Sequence, residues 1–301
     1  MEAVKILRAV AVLGLALASY RLVRRWWMRR LMGQRVAGKV VLITGASSGL
    51  GEALARAYHA AGAKVILAAR NTHELERVKG QLDSVQGRPN ALILPLDLSD
   101  GPSLADKACA AVDMYGRVDV LINNAGVSSR GAGLETSLDT DRRVMEVNYF
   151  GTIAFTKGVV GAMVSAGGGQ VVVISSLQGK VGVPLRTSYA ASKHALQGYF
   201  DSLRGELAES GVSVTVVSPG YIQTQLSQNA LTGDGSQHGV MDKNTANGMT
   251  AEAVAKEIVE GVARHCRDII LAPPTHKLAV YLSVLAPSLL DYVLRLRQRF
   301  Q

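Results

Sequence analysis

The sequence predicts one large α/β domain built on buried strands of the parallel type, and three observations predict it. Short apolar runs rich in Val, Ile and Leu alternate with stretches of helical periodicity. The first apolar run passes through a glycine-rich turn directly into a helical stretch. The 301 residues suffice for one full core, and the 31 glycines suit many tight turns between strands and helices.

The predicted strands are the apolar runs at residues 39–43, 65–69, 91–96, 118–122, 171–174, 213–217 and 268–272. Helical periodicity follows the first of them at residues 52–62 and recurs at residues 189–200 and 251–264. The last helix and strand are expected to close the sheet.

The turn after the first strand reads TGASSGLG, whose spacing is TGxxxGxG and departs from the commoner GxGxxG. Glycines here let the backbone approach a pyrophosphate, and the N-terminus of the following helix faces it. The turn therefore predicts a dinucleotide site, with a purely structural turn as the alternative. The predicted cofactor-binding residues are Thr44, Gly45, Ser47, Ser48, Gly49, Leu50 and Gly51.

The end of the second strand bears on which dinucleotide binds. An NAD site usually has Asp or Glu here, on the ribose 2′-hydroxyl. This chain has Ala69 followed by Arg70, which can hold a phosphate bidentately, so we predict NADP(H). After the third strand, Asp97 and Leu98 are predicted to lie at the adenine. Alternatively, Asp97 lies next to the N-cap of the following helix.

Two further strand ends supply predicted cofactor contacts. They are Asn124, Ala125 and Gly126 after the fourth strand, and Pro219, Gly220, Ile222 and Thr224 after the sixth. The amide of Asn124 is expected to pin its strand to neighbouring strands, and the second group to lie beside the nicotinamide pocket. The polar segment 225–250 is predicted to be a mobile lid, with a disordered linker at 234–247 as the alternative.

The segment YAASK carries the predicted chemistry. Tyr189 and Lys193 are four residues apart in a helical stretch, so their side chains project from one face. The ordinary pKa of a phenol is ~10, and we expect the Lys193 ammonium to lower it. Ser176 lies 13 residues before Tyr189 and just after the apolar run 171–174, where its hydroxyl can bind a carbonyl oxygen that Tyr189 protonates. For the spacing alone, an exposed Tyr and a solvated Lys are the alternative.

Asn148 lies in an apolar helix before the Ser176 strand. Its position suits a water relay to Lys193, and a hydrogen-bonded core amide is the alternative.

The net charge of +9 resides at the two ends of the chain. Residues 1–39 carry +8 and residues 277–301 carry +3, which leaves −2 for the body. This distribution favours a membrane surface and argues against nucleic acid as a partner. The apolar run 6–23 is about 27 Å long as a helix at ~1.5 Å per residue, and basic and aromatic residues follow it. We therefore predict a membrane anchor at residues 1–35 with the body facing the cytosol; a cleaved signal peptide is the alternative.

The C-terminal residues 276–301 are predicted to form a separate segment after the domain at residues 36–275. Residues 278–290 are apolar, are broken by Pro287 and are too short to span a bilayer. They are expected to dock at the membrane interface or to form the wall of an apolar substrate entrance. A core-packed helix or a dimer contact is the alternative.

With these residues identified, residues 37–272 resemble the short-chain dehydrogenase/reductase family. The resemblance rests on TGASSGLG, NNAG, Asn148, Ser176, YAASK and Pro219-Gly220, in that order. It implies a Rossmann-type, doubly wound sheet of seven parallel strands with helices on both faces. It also implies a homodimer in many members, through long helices such as the one that bears Tyr189.

The same resemblance implies a catalytic tetrad of Asn148, Ser176, Tyr189 and Lys193. Tyr189 would be the general acid/base, Ser176 would orient the carbonyl, and Lys193 would hold the nicotinamide ribose. Thr224 would contact the carboxamide. Ser47 stands where many NADP-type relatives have a basic residue, so the NADP(H) prediction rests mainly on Arg70.

The basic anchor and apolar tail are most similar to a membrane-bound subgroup of that family, which implies an endoplasmic reticulum or peroxisomal membrane. The leading hypothesis is an NADPH-dependent reductase of lipophilic ketones and aldehydes such as lipid, steroid or retinoid carbonyls. A catalytically silent NADP-binding scaffold and an NAD-linked alcohol dehydrogenase stay open as alternatives. No cluster has metal-ligand spacing, so no metal is predicted.

Overall fold

The computed structural model describes residues 34–85, 87, 88 and 90–299, together with residues 19, 23, 27, 30 and 31. Most of the predicted membrane anchor at residues 1–35 therefore lies outside the described residues. Among the residues that are described, no helix is both long and apolar enough to cross a bilayer.

The strands lie within a few residues of their predicted positions. They are β1 Val40–Thr44, β2 Lys64–Ala69, β3 Leu92–Pro95, β4 Val120–Asn123, β5 Gly169–Ile174, β6 Val212–Pro219, β7 Ile222–Gln223, β8 Met249–Thr250 and β9 Asp268–Leu271. In the described part of the chain, seven of them form a parallel sheet in the order β3-β2-β1-β4-β5-β6-β9. The predicted seven-stranded, doubly wound α/β fold is confirmed.

The helices alternate with the strands. They are α1 Gly49–Ala60, α2 Thr72–Asp83, α3 Leu104–Asp113, α4 Leu138–Met145, α5 Gly151–Ser165, α6 Thr187–Glu206, α7 Lys243–Ala246, α8 Ala251–Ala263, α9 Pro274–Leu285 and α10 Pro287–Arg299. A π-helical turn, Glu146–Phe150, joins α4 to α5. Pro287 ends one apolar helix and begins another, because proline lacks the N–H that would continue α9 but fits the first turn of α10.

Alternate residues of each strand belong to two separate cores. Val41 and Ile43 of β1 pack with helices α1, α2 and α8 on one face of the sheet. Val40 and Leu42 pack with α3, α5 and α6 on the other face. All four side chains are almost completely buried. Because both faces are covered, the strands are apolar throughout, which explains why the sequence shows continuous apolar runs.

For two segments after β6, the structure excludes an alternative that the sequence left open. The alternative of a disordered linker at residues 234–247 is wrong, because His238 N donates to Ala230 O and Gly239 N donates to Gln228 O. The segment just before it lies on the segment after β4, where Leu231 N donates to Ser128 O. The alternative of core-packed C-terminal helices is wrong for most of α9 and α10. In α9 no residue is buried, and in the described side chains of α10 Leu290 is the buried one.

Candidate active site

The predicted site residues meet at the carboxyl ends of β1, β4, β5 and β6, where the loops of a parallel sheet leave a crevice. A cavity of about 720 Å³ occupies this edge. Most of the predicted residues line it: Gly45, Ser47, Ser48, Gly49, Leu50, Gly51, Arg70, Asn124, Ala125, Gly126, Ser176, Tyr189, Lys193, Pro219, Gly220, Ile222 and Thr224. Residues from six separate parts of the chain therefore share one chamber.

The glycine-rich turn has the geometry of a phosphate cradle. Gly45 and Gly49 have φ angles of 68° and 56°, in the left-handed region that glycine adopts without strain. A Cβ on Gly51 would lie 2.1 Å from the carbonyl oxygen of Gly45, so no side chain fits there. Ser48, the N-cap of α1, makes no side-chain cap hydrogen bond. The first-turn N–H groups of α1 thus keep their capacity for an anion, which fits a dinucleotide pyrophosphate.

Thr44 lies beneath this turn rather than in the cavity, which corrects its predicted place as a direct contact. It is completely buried, and its hydroxyl oxygen accepts from Asn124 N and Ala125 N at 3.0 Å each. Asn124 Nδ2 in turn donates to Thr44 O at 2.9 Å. These bonds tie the end of β4 to the end of β1, as predicted for the amide, and they fix the floor of the glycine-rich turn.

Arg70 lies at the predicted end of β2 and borders the cavity. Its side chain is 61% exposed, and its guanidinium forms a long ion pair of 4.0 Å with Asp97. Asp97 and Leu98 line an adjoining cavity of about 110 Å³. Asp97 Oδ1 also accepts from the N–H and hydroxyl of Ser99 at 2.9 and 2.7 Å. Asp97 therefore closes a local turn and lines the adjoining cavity. The alternative of a place next to an N-cap is wrong, because the N-cap of the following helix α3 is Ser103.

Ser176, Tyr189 and Lys193 come together as predicted. Tyr189 and Lys193 are both more than nine-tenths buried. The Lys193 Nζ lies 5.7 Å from the centre of the Tyr189 ring and donates to Ile174 O at 2.9 Å. Ser176 Oγ accepts from Gln178 N at 3.1 Å and forms a hydrogen bond with Tyr189. An exposed Tyr and a solvated Lys are excluded.

The expectation that Lys193 lowers the pKa of Tyr189 is wrong in this structure. Burial raises the pKa of Tyr189 above its ordinary value, and the opposing influences are the hydrogen bond with Ser176 and the charges of Arg130 and Arg186. Burial also lowers the pKa of Lys193 to about 8. Because both groups are desolvated, each is pushed towards its neutral form.

Asn148 is completely buried within the π-helical turn and does not line the cavity. Its Nδ2 donates to Val127 O at 2.8 Å and to Ser192 Oγ at 2.9 Å, and its Oδ1 accepts from Val127 N at 2.8 Å. Both amide protons are engaged, so the side chain holds the segment after β4 against α6. This arrangement is the core-amide alternative.

Sequence reasoning missed three charged residues at this site. Arg130 and Arg186 line the cavity, and Asp242 contacts both of them. Arg186 had a usable signal, because it precedes Tyr189 by three residues and so belongs to the same end of α6. Arg130 and Asp242 are 112 residues apart, and no sequence spacing indicates that they meet.

Comparisons with known proteins give consistent results. The family model described as short chain dehydrogenase matches residues 39–235. The chain is 48% identical over 264 residues to the dehydrogenase/reductase SDR family protein 7-like of Anopheles gambiae, covering 86% of this chain and 83% of that protein. It is 47% identical over 264 residues to the dehydrogenase/reductase SDR family member 7B of Rattus norvegicus, covering 86% and 81%.

Solved structures of the same fold include three bacterial proteins. A short-chain dehydrogenase/reductase of Burkholderia phymatum in complex with NAD has a TM-score of 0.75 at 24% identity, covering 85% of this chain and 96% of that one. A short chain dehydrogenase of Burkholderia cenocepacia in complex with NADP has a TM-score of 0.69 at 27% identity, covering 85% and 97%. A short-chain dehydrogenase of Streptomyces avermitilis has a TM-score of 0.73 at 30% identity, covering 86% and 97%.

Proposed function

The chain belongs to the short-chain dehydrogenase/reductase family, and from this premise we propose that it is an NADPH-dependent reductase of lipophilic ketones and aldehydes. The observation that carries the proposal is the meeting of Ser176, Tyr189 and Lys193 in one cavity with the glycine-rich turn and Arg70. A complete set of proton-transfer groups argues for turnover rather than for a silent NADP-binding scaffold.

A bound nicotinamide dinucleotide would supply the hydride. The turn at Gly45–Gly51 would hold its pyrophosphate, because the left-handed glycines and the uncapped start of α1 form an anion cradle. Lys193, whose Nζ lies at the end of β5, would hold the nicotinamide ribose. Asn124, through its bonds to Thr44 and Gly45, keeps the two neighbouring strand ends in place.

Tyr189 would donate its phenolic proton to the carbonyl oxygen of the substrate. Its pKa is raised by burial, so the phenol is protonated at neutral pH and is ready to act as an acid. Ser176 would donate a hydrogen bond to the same oxygen and so orient the carbonyl. Asn148 would act indirectly, since it fixes Val127 and Ser192 beside the helix that carries Tyr189.

The choice of NADP(H) over NAD(H) is part of the proposal and rests on Arg70. The residue at the end of β2 is Ala69 rather than an acid, and the exposed guanidinium that follows is weakly paired. A 2′-phosphate could replace the 4.0 Å contact with Asp97 by bidentate hydrogen bonds. The family member of Burkholderia cenocepacia that has NADP bound shows that the fold accommodates it.

We also propose that the protein works at the cytosolic face of an endoplasmic reticulum or peroxisomal membrane and takes its substrate from the lipid. The support is the positive charge at both ends of the chain and the exposed apolar side chains of α9 and α10. Protease digestion of sealed microsomes tests the orientation: the body should be cut without detergent. A protected body would place it in the lumen.

The main experiment is a panel of lipid, steroid and retinoid carbonyls with the detergent-solubilised protein. NADPH consumption and product analysis should show stereospecific reduction of at least one of them, with NADH a much weaker donor. Tight NADPH binding without reduction across the panel would favour the scaffold. Efficient oxidation of the matching alcohols with NAD in place of NADP would favour an NAD-linked dehydrogenase.

A further inference from the structure

Three charged side chains form a cluster beside the cavity that contains Tyr189. Asp242 Oδ2 accepts from Arg130 Nη2 at 2.6 Å and from Arg186 Nη2 at 2.8 Å. The two arginine side chains are each 13% exposed and the aspartate 18%. Both arginines line the cavity, and Asp242 does not. This cluster of Arg130, Arg186 and Asp242 has a net charge of +1 and therefore places one positive charge beside the cavity.

Arg130 connects this cluster to the backbone of Tyr189. Arg130 Nη1 donates to Ser129 O at 2.7 Å and to Ser128 Oγ at 2.7 Å. Ser129 Oγ in turn accepts from Tyr189 N at 3.3 Å. One serine thus links the guanidinium of Arg130 to the residue that is proposed to transfer the proton.

Arg186, the second arginine of the cluster, lies at the start of the helix that carries Tyr189. Arg186 is the N-cap of α6, and its Nη1 donates to Tyr221 Oη at 3.3 Å, with the guanidinium 5.8 Å from the centre of that ring. Leu185, just before it, has a φ of 63°. A left-handed leucine is strained and persists only where its surroundings fix it, which is a frequent property of functional sites. Leu185 O accepts from Gly131 N at 3.1 Å, so the start of α6 is held against the segment that contains Arg130.

We propose that Asp242 is a positioning residue for the reaction: it fixes Arg130 and Arg186 beside Tyr189, where the pair stabilises the anionic form of Tyr189, and its own charge moderates that stabilisation. This inference rests on the proposed function, in which Tyr189 transfers the proton. Between proton donation and reprotonation Tyr189 is a buried anion, and a desolvated anion needs a fixed positive charge close by. Lys193, with a pKa lowered to about 8, loses its charge as the pH rises through that value, and the pKa of Tyr189 lies above its ordinary 10.0, so Lys193 is neutral at the pH where Tyr189 itself titrates.

The electrostatics around Tyr189 agree with this geometry. The charges of Arg130 and Arg186 act against the burial that raises the pKa of Tyr189. Burial alone would raise the pKa of Asp242, but the hydrogen bond from Arg130 and the charges around it hold that pKa below its ordinary value, so Asp242 stays ionised near neutral pH. Other titratable groups lie near the cluster or near Tyr189. Among the described residues they include Lys193 on α6, Tyr221, which accepts from Arg186, His276 beside Tyr221, His238 at 4.0 Å from Asp242, Lys243 next to Asp242, and Asp141, which accepts from Ser188.

The test is the titration of Tyr189 itself. The ultraviolet absorbance of tyrosinate is followed against pH for each protein and for the same protein with Tyr189→Phe, and the difference isolates Tyr189. Asp242→Asn removes one negative charge, while the amide oxygen can still accept from both guanidinium groups and keep them in place, so Tyr189 should ionise at a pH lower by roughly half to one unit. Arg130→Met should move the ionisation in the opposite direction by a similar amount. The pH profile of kcat should move with both.

The controls separate charge from structure. Asp242→Glu keeps the charge and should titrate as the wild type does. Asp83→Asn removes an aspartate of similar exposure, 20%, that pairs with Lys79 at the far end of α2, and should leave the titration of Tyr189 unchanged. Far-ultraviolet circular dichroism and thermal unfolding establish that each variant is folded.

Opposite shifts for Asp242→Asn and Arg130→Met support the inference. Shifts in one direction, or none in folded variants, overturn it. The titration needs no turnover, so failure of the proposed function is recognised separately, as a wild type that reduces no carbonyl even though Tyr189 titrates as described. If the wild type reduces carbonyls but neither substitution shifts the titration of Tyr189, the proposed function stands and this inference is wrong.

Discussion

Two regions of the protein break the usual rule that polar side chains are exposed and apolar side chains are buried. The wall of the cavity around Tyr189 buries polar groups, and the helix pair α9–α10 exposes apolar ones. In the wall, Tyr189 and Lys193 are less than one-tenth exposed. On the helix pair, Val284 and Leu285 are 79% and 80% exposed. Buried polar groups and exposed apolar groups are both costly, so each is informative where it occurs.

The two regions differ in how directly their side chains indicate a function. The buried polar groups of the wall have partners within the chain, such as Ile174 O for Lys193 and Ser176 for Tyr189. Their geometry therefore indicates a chemistry. The exposed apolar groups of α9 and α10 are not covered by any of the residues that the structure describes, so their purpose depends on what covers them.

The largest effect is expected from removing the phenolic proton. Tyr189→Phe should lower kcat by ~10²–10⁴-fold, the usual contribution of general acid catalysis. NADPH affinity, measured by fluorescence titration, should stay nearly unchanged, because only one hydroxyl is lost. Tyr199→Phe removes a phenol from the same helix outside the cavity and should keep the wild-type rate. A Tyr189→Phe protein with more than about a tenth of the wild-type rate would place the proton donor elsewhere.

The next effect concerns the cost of the buried lysine. The pKa of Lys193 falls from its ordinary 10.5 to about 8, so the folded protein loses its proton before the unfolded chain does. Between about pH 8 and 10.5 the unfolded state binds more protons, and stability therefore rises with pH. Urea unfolding without cofactor should show Lys193→Met more stable than wild type at pH 7, by about 3 kcal/mol at most. This advantage should shrink as the pH rises to 10. An advantage that does not change with pH would mean that the ammonium is solvated.

A smaller effect is expected at the adenosine end of the wall, where polar groups are exposed. Ala69→Asp with Arg70→Ile removes a guanidinium and adds a repulsive carboxylate, which should cost NADPH roughly 2–3 kcal/mol, about 30–150-fold in Kd. NADH should gain affinity at the same time. Arg142→Ile removes an arginine of similar exposure outside the cavity and should change neither Kd. Equal affinities for NADH and NADPH in the wild type would refute the proposed cofactor preference.

Much of the wall could be predicted from the sequence because its residues are local. The strands and the glycine-rich turn follow from apolar runs and glycine spacing, and Tyr189 and Lys193 are one helical turn apart. The electrostatic balance could not be predicted, because it depends on burial by tertiary packing and on Arg130 and Asp242, which are far apart in sequence. Thr44 shows the same limit: its motif position is correct, but only the folded turn reveals that its hydroxyl faces Asn124 and Ala125.

The helix pair was predicted less completely. The apolar run and its break at Pro287 were correct, because proline acts locally. Whether the run packs into the core was open, since an apolar run alone does not indicate its partner. The structure answers this for the described side chains, with Leu278, Tyr281 and Tyr292 all more than half exposed.

The exposed apolar side chains of α9 and α10 can be tested for membrane binding. If α9 and α10 lie in the membrane interface, deletion of residues 1–35 should weaken membrane attachment without releasing all of the protein. Val284→Ser with Leu285→Ser should then lower the remaining vesicle-bound fraction several-fold, since each exposed side chain contributes about 1 kcal/mol when buried. Thermal stability should not change, because both side chains already face solvent. Val164→Ser on α5 removes an exposed valine from another surface and is the matched control.

Salt gives the second half of this test. Arg295, Arg297 and Arg299 are close together in the sequence of α10 and should attract anionic headgroups. Attachment of the protein without residues 1–35 to vesicles that contain phosphatidylserine should therefore fall as salt rises, and neutralising the three arginines should abolish that dependence. If instead the two serine substitutions change the oligomeric state and leave vesicle binding unchanged, the apolar face of α9 is covered by a second copy of the chain. The apolar face of α9 would then be exposed in a single chain and covered by a second chain instead of by lipid.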